Sequence, residues 1–459
     1  MYRQVEKFFQ ELKGKKVAFI GAGVSHRQLI EMFVSKGALV TLCDKKKIED
    51  FGEYGEKLKE LKVHLSLGEN YLEGIKNQDM ILRTPGFEYF TKELQAQKDK
   101  GAMITSEVEL FFSLCPCKIY GITGSDGKTT TTTLISEMLK ESGKTVHLGG
   151  NIGKALLPII EKVREDDVAV VELSSFQLIS MRCSPQVAVV TNVTPNHLDH
   201  HKDMQEYIDA KRNILLYQDA SSRAVLGYEN EISKGMKKDV KGECAFFSRL
   251  TDLGEGGYID REGYLCLDGQ RILHKGEVAL RGEHNLENLL AAFCALKGDV
   301  SCEVMKKVAQ TFKGVEHRIE PVRTLNGVQW FNDSIATSPT RTIAGLRSFP
   351  QKICIIAGGY DKKIPYEPLA EPVVENVKLL VVMGQTGPKI EAVVRNHPKF
   401  NESGMKILHA QDMEQAVKLM YENTNSGDIV SFCPASASFD LYPNFEERGK
   451  HFKRLVNEL

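Results

Sequence analysis

Two stretches of this chain repeat one pattern that few folds accept: an apolar run stopping at glycine, a helical segment, and a second apolar run. The first opens with KKVAFI, turns at Gly21-Ala-Gly23, continues as HRQLIEMFVSKG and ends with ALVTLCD at Asp44. The second starts near Cys117 as KIYGITGSDGKTTTTTLISEMLKESGKTVHLGG, again strand, glycine loop, helix and strand. Apolar runs that end at glycine or proline are the mark of parallel strands buried on both faces. VHLSLG and DMILRTPG extend the first sheet, and DVAVVEL and QVAVVTNV the second. From SRAVLGYEN to GEVALRG the chain is glycine-rich and alternating, without clear helices, until HNLENLLAAFCALKG closes the region. After KGVEHRIEPV a third block follows, with strands GVQWFNDS, KICIIAGG, KLLVVMG and DIVSFCP.

The expected fold class is therefore α/β in three domains. These are a Rossmann-like N-terminal domain, a central P-loop-type domain with a mostly parallel sheet, and a Rossmann-like C-terminal domain. A chain of 459 residues fits three domains at about 150 residues each. The expected boundaries are 1–112, 113–315 and 316–459.

Composition removes other classes. With 42% hydrophobic and 26% charged residues the chain is neither disordered nor fibrous. Its 60 basic and 61 acidic residues give a formal net charge of -1, and no block of like charge is long enough for a nucleic-acid arm or a membrane anchor. VAVVEL and KICIIAGG fall far short of the roughly 18 residues that span a bilayer, and MYRQVEKFFQELKGKK has no signal-peptide core, so a cytoplasmic protein without membrane insertion is expected. The 10 cysteines read as reduced thiols; Cys115 and Cys117 are close, but no second pair stands at zinc-site spacing.

The first turn, Gly21-Ala22-Gly23-Val24-Ser25-His26, keeps two of the three glycines of a dinucleotide fingerprint, with His26 in the third place. A helix start after such a turn still offers N–H groups to a phosphate. Asp44 then stands where a ribose would lie, or is an ordinary turn residue. Stronger is Thr123-Gly124-Ser125-Asp126-Gly127-Lys128-Thr129-Thr130, a shortened phosphate loop. Its glycines let N–H groups turn inward, Lys128 can reach outer phosphate oxygens, and the Thr129 hydroxyl can bind Mg²⁺. Glu172 and His197 end the next two strands, where ligands collect in open α/β sheets, and are candidate metal partners. His197, Asp199, His200 and His201 form an alternative transition-metal cluster.

Taken in order, TGSDGKTT, ELSSFQL, NVTPNHLDHH with Ala210-Lys211, GEHNLEN, EHRIE and NDSIATSPTRT resemble the Mur ligase family, the ATP-dependent amino-acid ligases of peptidoglycan synthesis. Within it, PASASFDLYPNFEERGKHF resembles the ending of the D-glutamate-adding branch. The resemblance implies that a carboxylate of UDP-N-acetylmuramoyl-L-alanine attacks the ATP γ-phosphate and that D-glutamate displaces the resulting acyl phosphate. Two anions must then meet, against a repulsion of about 1 kcal/mol in water and about 4 at an effective dielectric of 20, so cations are needed between them.

By resemblance the catalytic residues are Lys128, Glu172, His197 and Lys211. Two Mg²⁺ ions would be held by Thr129, Glu172, His197 and a carbamoylated Lys211. ATP would lie on Gly124, Ser125, Asp126, Gly127, Lys128, Thr129 and Thr130, with Asn285 and Asn288 toward adenine and Arg318 and Asp333 toward phosphate and ribose. The UDP-substrate falls to Gly23, Val24, Ser25, Asp44, Thr84, Gly86 and Asn151. D-Glutamate falls to Thr337, Lys362, Ser438 and Phe445, with Lys362 pairing a carboxylate. Ile335 replaces a lysine that many members carry, and Arg341 or Lys363 would supply the missing charge. The implied partners are these small molecules, with the chain as a monomer.

Three other readings compete. A different Mur ligase or folylpolyglutamate synthetase would share the chemistry. A nicotinamide-dependent dehydrogenase would use Gly21 to Asp44 but leaves the phosphate loop unexplained. A nucleotide-binding regulatory module would not need Glu172, His197 and Lys211.

Overall fold

The computed structural model describes residues 2–198, 200–280, 282–362 and 364–459, and of Tyr2, Arg3, Val24 and Ser25 only the backbone. Asp199 and Lys363 thus lie outside the described residues. The chain divides into two compact units, Met1–Phe312 and Lys313–Leu459.

The first unit carries two sheets. Strands β1 (Lys16–Ile20), β2 (Leu39–Asp44), β3 (His64–Leu67), β4 (Met80–Arg83) and β5 (Met103–Thr105) form an all-parallel sheet in the order 3-2-1-4-5. The second sheet holds β6 (Lys118–Thr123), β7 (Val146–Gly150), β8 (Val168–Glu172), β9 (Val187–Val190), β10 (Arg223–Gly227), β11 (Glu243–Ser248), β12 (Gly257–Ile259), β13 (Tyr264–Leu267) and β14 (Gln270–His274). Their order is 14-13-12-11-10-9-6-8-7, parallel except for the β12–β13–β14 meander. That meander lies in the glycine-rich, alternating stretch. The same stretch also holds a helix, Glu231–Gly235, whose five residues are too few for a hydrophobic period to register.

Alternation along β8 explains why VAVVE reads as continuously apolar. Ala169 and Val171 point into a core shared with Val17, Phe19 and Leu42 of the first sheet. Val168 and Val170 face a second core filled by the helices Lys128–Glu141 and Glu283–Leu296. In the latter helix every side chain from Leu289 to Leu296 is buried. The N-terminal segment is an amphipathic helix, Tyr2–Leu12, that buries Val5, Phe9 and Leu12 at helical spacing.

The second unit has one sheet of β15 (Glu320–Leu325), β16 (Val328–Asn332), β17 (Ile353–Gly358), β18 (Val377–Met383), β19 (Lys406–His409) and β20 (Ile429–Phe432), in the order 15-16-20-17-18-19. All pairs are parallel except β15–β16. The edge strands β15 and β19 add to the four expected from sequence. They escape pattern reading because EPVRTL and KILH are partly exposed and lack an apolar run.

Candidate functional site

The phosphate loop joins β6 to helix Lys128–Glu141 through Gly127, whose φ of +79° is left-handed. A Cβ on Gly127 would overlap the amide oxygen of Asn288, and one on Gly124 would overlap the Thr191 hydroxyl, so both glycines are sterically required. The loop is fastened from behind by the end of β9. Asp126 N–H donates to Asn192 Oδ1 (3.0 Å), and Ser125 Oγ donates to Thr194 O (2.9 Å) and lies 2.9 Å from Tyr207 Oη. Ser125 is buried, so its hydroxyl serves the loop and only its backbone is left for a phosphate. Asn288 Nδ2 donates to Asn285 Oδ1 (3.0 Å) and its Oδ1 accepts from Thr131 (3.2 Å), which seats both asparagines against the loop. Lys128 Nζ folds back onto the carbonyls of Gly124 and Ser125, both at 2.9 Å.

Lys211 reaches the same loop from helix Met204–Leu216. Its amine is 2.8 Å from Gly124 O, lies over the Tyr207 ring at 4.6 Å, and is 1% exposed. Burial, reinforced by the positive charge of Lys128, pulls its pKa well below the usual lysine value. A lowered pKa enlarges the neutral fraction of the amine, and the neutral amine is the nucleophilic form. Glu172, 1% exposed at the end of β8, accepts from Asn151 Nδ2 through Oε1 (2.7 Å), while its Oε2 is buried without a hydrogen-bond partner. An orphaned carboxylate oxygen beside a phosphate loop fits a divalent cation. Asn151, expected at the UDP-substrate, is thus hydrogen-bonded to this carboxylate.

His197 takes a left-handed φ of +55° and packs edge-on against Phe176 (5.2 Å). The transition-metal alternative fails on His201, whose ring nitrogens are engaged by Ser175 Oγ (2.9 Å) and Glu206 Oε1 (3.0 Å). Elsewhere Glu316, His317 and Glu320 converge, but Lys453 Nζ bridges both carboxylates at 2.8 Å and offsets part of their charge.

In the first glycine turn, both Asp44 carboxylate oxygens accept backbone N–H groups, from Ala22 and Lys46 at 2.9 Å each. His26 explains the incomplete fingerprint. Its ring Nδ1–H donates to Gly21 O at 2.8 Å, and the ring stands edge-on to Phe19 and is buried, which lowers its pKa to about 4. A neutral imidazole thus fills the space that a third glycine would leave open. Thr84 packs against Gly21, and Gly86 has open space around it. Val24 and Ser25 open the following helix, but their side chains are outside the described set.

In the second unit, Lys362 Nζ lies 3.4 Å from Thr337 O; partial burial and the charges of Arg341 and Arg448 lower its pKa. Two further cations thus act on the lysine that reaches Thr337. Ser438 is buried, Phe445 opens helix Phe445–Glu458, and its carbonyl accepts from Ser334 Oγ (2.8 Å). Arg448 is missed by sequence reasoning. Buried at 2% exposure, it donates to the carbonyls of Ser334, Ser436 and Ala437 and so ties the NDS and PASAS turns together. Arg318 is exposed, whereas Asp333 is buried and its carboxyl is pushed up to about 7 by desolvation.

Residues 122–296 match the Mur ligase middle domain and residues 317–436 the Mur ligase, glutamate ligase domain. The chain is 48% identical over 464 residues to the UDP-N-acetylmuramoylalanine--D-glutamate ligase of Acetivibrio thermocellus, and 48% identical over 459 residues to that of Clostridium kluyveri, with 100% of each chain covered in both cases. Among solved structures, UDP-N-acetylmuramate-alanine ligase MurC from Thermotoga maritima has a TM-score of 0.58 at 16% identity, covering 97% of this chain and 99% of its own. A pseudomurein peptide ligase type C from Methanothermus fervidus gives 0.52 at 17% identity, covering 97% and 100%. At such identities the structural likeness concerns the fold.

Proposed function

The chain belongs to the Mur ligase family, and from that membership we propose that it joins D-glutamate to the L-alanine carboxylate of UDP-N-acetylmuramoyl-L-alanine, with ATP as phosphoryl donor and an acyl phosphate as intermediate. The observation that carries the chemistry is Lys211, a buried amine of lowered pKa set 2.8 Å from the carbonyl of Gly124 in the phosphate loop. A cationic lysine there would duplicate Lys128. A neutral one can add carbon dioxide, lose a proton and become a carbamate, placing an anion where divalent cations are required.

Lys128 and the loop N–H groups bind and orient the ATP phosphates, and Lys128 moves from its two carbonyl acceptors to the phosphate oxygens. Thr129, Glu172, His197 and the Lys211 carbamate would hold two Mg²⁺ ions, which would screen the charge of the γ-phosphate against the incoming carboxylate. Asn151 fixes the Glu172 carboxylate so that Oε2 stays directed for this role. Asn285 and Asn288 would form the adenine side, and Arg318 and Asp333 are assigned to phosphate and ribose. Gly23, Val24, Ser25, Asp44, Thr84, Gly86 and Asn151 would bind the UDP-substrate. We assign these tasks to domains 1–112, 113–315 and 316–459 of a cytoplasmic monomer; among the described residues no helix is long and apolar enough to cross a membrane.

D-Glutamate would bind at Thr337, Lys362, Ser438 and Phe445, and Arg341 supplies the charge that Ile335 lacks. Lys362 stands exposed, so its bond to a carboxylate is charge-assisted but not deeply buried. Such a bond contributes about 1.5–3 kcal/mol, and Lys362→Ala should raise the D-glutamate KM on the order of ten- to a hundredfold with little change in the ATP KM. Steady-state kinetics at saturating ATP and UDP-substrate measure this; an unchanged D-glutamate KM would transfer the role to Arg341.

Phosphate release from ATP tests the assignment as a whole. It should require UDP-N-acetylmuramoyl-L-alanine and D-glutamate together, and fail with L-glutamate, L-lysine or a diamino acid. Release with a diamino acid in place of D-glutamate would make the chain a different ligase of the family.

A further inference from the structure

Arg83 ends β4 and is among the largest fully buried side chains, 1% exposed. Among the described residues it makes no ion pair with a carboxylate within salt-bridge distance; its charge is met by backbone carbonyls and a hydroxyl. Nη1 donates to Phe87 O (2.8 Å) and, at longer range, to Pro85 O (3.2 Å) and Thr84 O (3.3 Å). Nη2 donates to Phe176 O (2.7 Å) and Ser180 Oγ (3.0 Å), residues more than 90 positions away. The planar fork therefore has one edge on the Thr84–Phe87 loop and the other on the segment that follows Glu172.

What the second edge holds matters most. Phe176 is the ring against which His197 (5.2 Å) and His200 (5.7 Å) pack edge-on, and His201 stacks on it at 5.2 Å with an interplanar angle of 2°. Its neighbour Ser175 holds the His201 ring (2.9 Å). The main chain from Glu172 runs into this helix, Ser175–Leu178, after only two residues. Displacing Phe176 would move the His197 loop and disturb the strand end that carries Glu172.

We propose that Arg83 is a positioning residue that sets the His197 loop through Phe176 while fixing the Thr84–Phe87 loop, so that one side chain aligns the UDP-substrate loop with the metal-binding loop. This rests on the function proposed above. A guanidinium is needed because its donors diverge in one rigid plane, whereas a lysine ammonium could serve one edge at a time. Burial lowers the Arg83 pKa to about 10, which leaves it charged at neutral pH.

The test uses the full-length enzyme and two variants, Arg83→Lys and Arg83→Met, in the phosphate-release assay. Misplacing a positioned group by about 1 Å costs on the order of a hundredfold, and loss of the fork should reach at least a tenth of that. The expected result for both variants is a rise of about tenfold or more in the Mg²⁺ concentration for half-maximal rate and in the UDP-substrate KM, with the D-glutamate KM unchanged. Guanidinium ion added at millimolar concentration should partly restore Arg83→Met. If Arg83 only stabilised the fold, Arg83→Lys would lose active fraction, lowering kcat while leaving the Mg²⁺ midpoint and both KM values in place; that result overturns the proposal. If Arg83→Met does not fold, Arg83→Lys decides by the same criterion. A wild type that releases no phosphate with these substrates would instead defeat the proposed function.

Discussion

Lys128→Ala is expected to abolish turnover while leaving the UDP-substrate bound. In the structure the Lys128 ammonium rests on the carbonyls of Gly124 and Ser125, the two residues that precede the turn into helix Lys128–Glu141. Removing it takes away the one loop side chain whose charge can follow the γ-phosphate during transfer. Losses for preorganised charge stabilisation of this kind are on the order of a hundred- to a thousandfold in kcat, about 3–4 kcal/mol. The fold should survive, because the side chain is only half-buried and the loop is held from behind by Thr191, Asn192 and Thr194. Retention of more than about a tenth of wild-type kcat, a loss under about 1.4 kcal/mol, would remove Lys128 from its role.

Lys211→Ala should be comparably inactive, for a different reason. The amine is buried against Tyr207 and the loop carbonyl, so alanine removes both the proposed carbamate and the filling of the space. Short carboxylates such as acetate fit the vacated volume and should restore part of the rate, whereas ammonium salts should not. Carbamate formation requires the neutral amine, and a lowered pKa enlarges that fraction; since the proton is lost as pH rises, activity should climb with pH through the depressed lysine pKa. Rates at fixed bicarbonate across pH, with thermal melting to confirm folding, measure both effects. Full activity in the alanine variant would reduce Lys211 to a packing residue.

The phosphate loop was legible because glycine spacing, a following lysine and threonine, and placement between strand and helix all act locally. Lys211 was not legible in the same way. On sequence alone it is a lysine in a helix, and its chemistry depends on burial and on Lys128, 83 positions away, so only the family's motif order singled it out. The Asn151–Glu172 bond is not legible in the sequence, because the two residues lie 21 positions apart at the ends of neighbouring strands. Arg83 left no signal, and Arg448 stood in the C-terminal motif without a role, since their acceptors are mainly backbone carbonyls, which any residue type supplies. The sheets follow the same division. Strands buried on both faces announce themselves as apolar runs, whereas β15 and β19 at the edge do not.

The central claim is that the substrate carboxylate attacks the γ-phosphate. It is tested most directly by labelling both oxygens of the L-alanine carboxylate of UDP-N-acetylmuramoyl-L-alanine with ¹⁸O and analysing the products of a complete reaction with ATP and D-glutamate. An acyl phosphate keeps the bridging oxygen on phosphorus when the amine displaces it, so each inorganic phosphate should carry one ¹⁸O and the nucleotide product should be unlabelled ADP. Unlabelled phosphate, or label in AMP, would contradict the account.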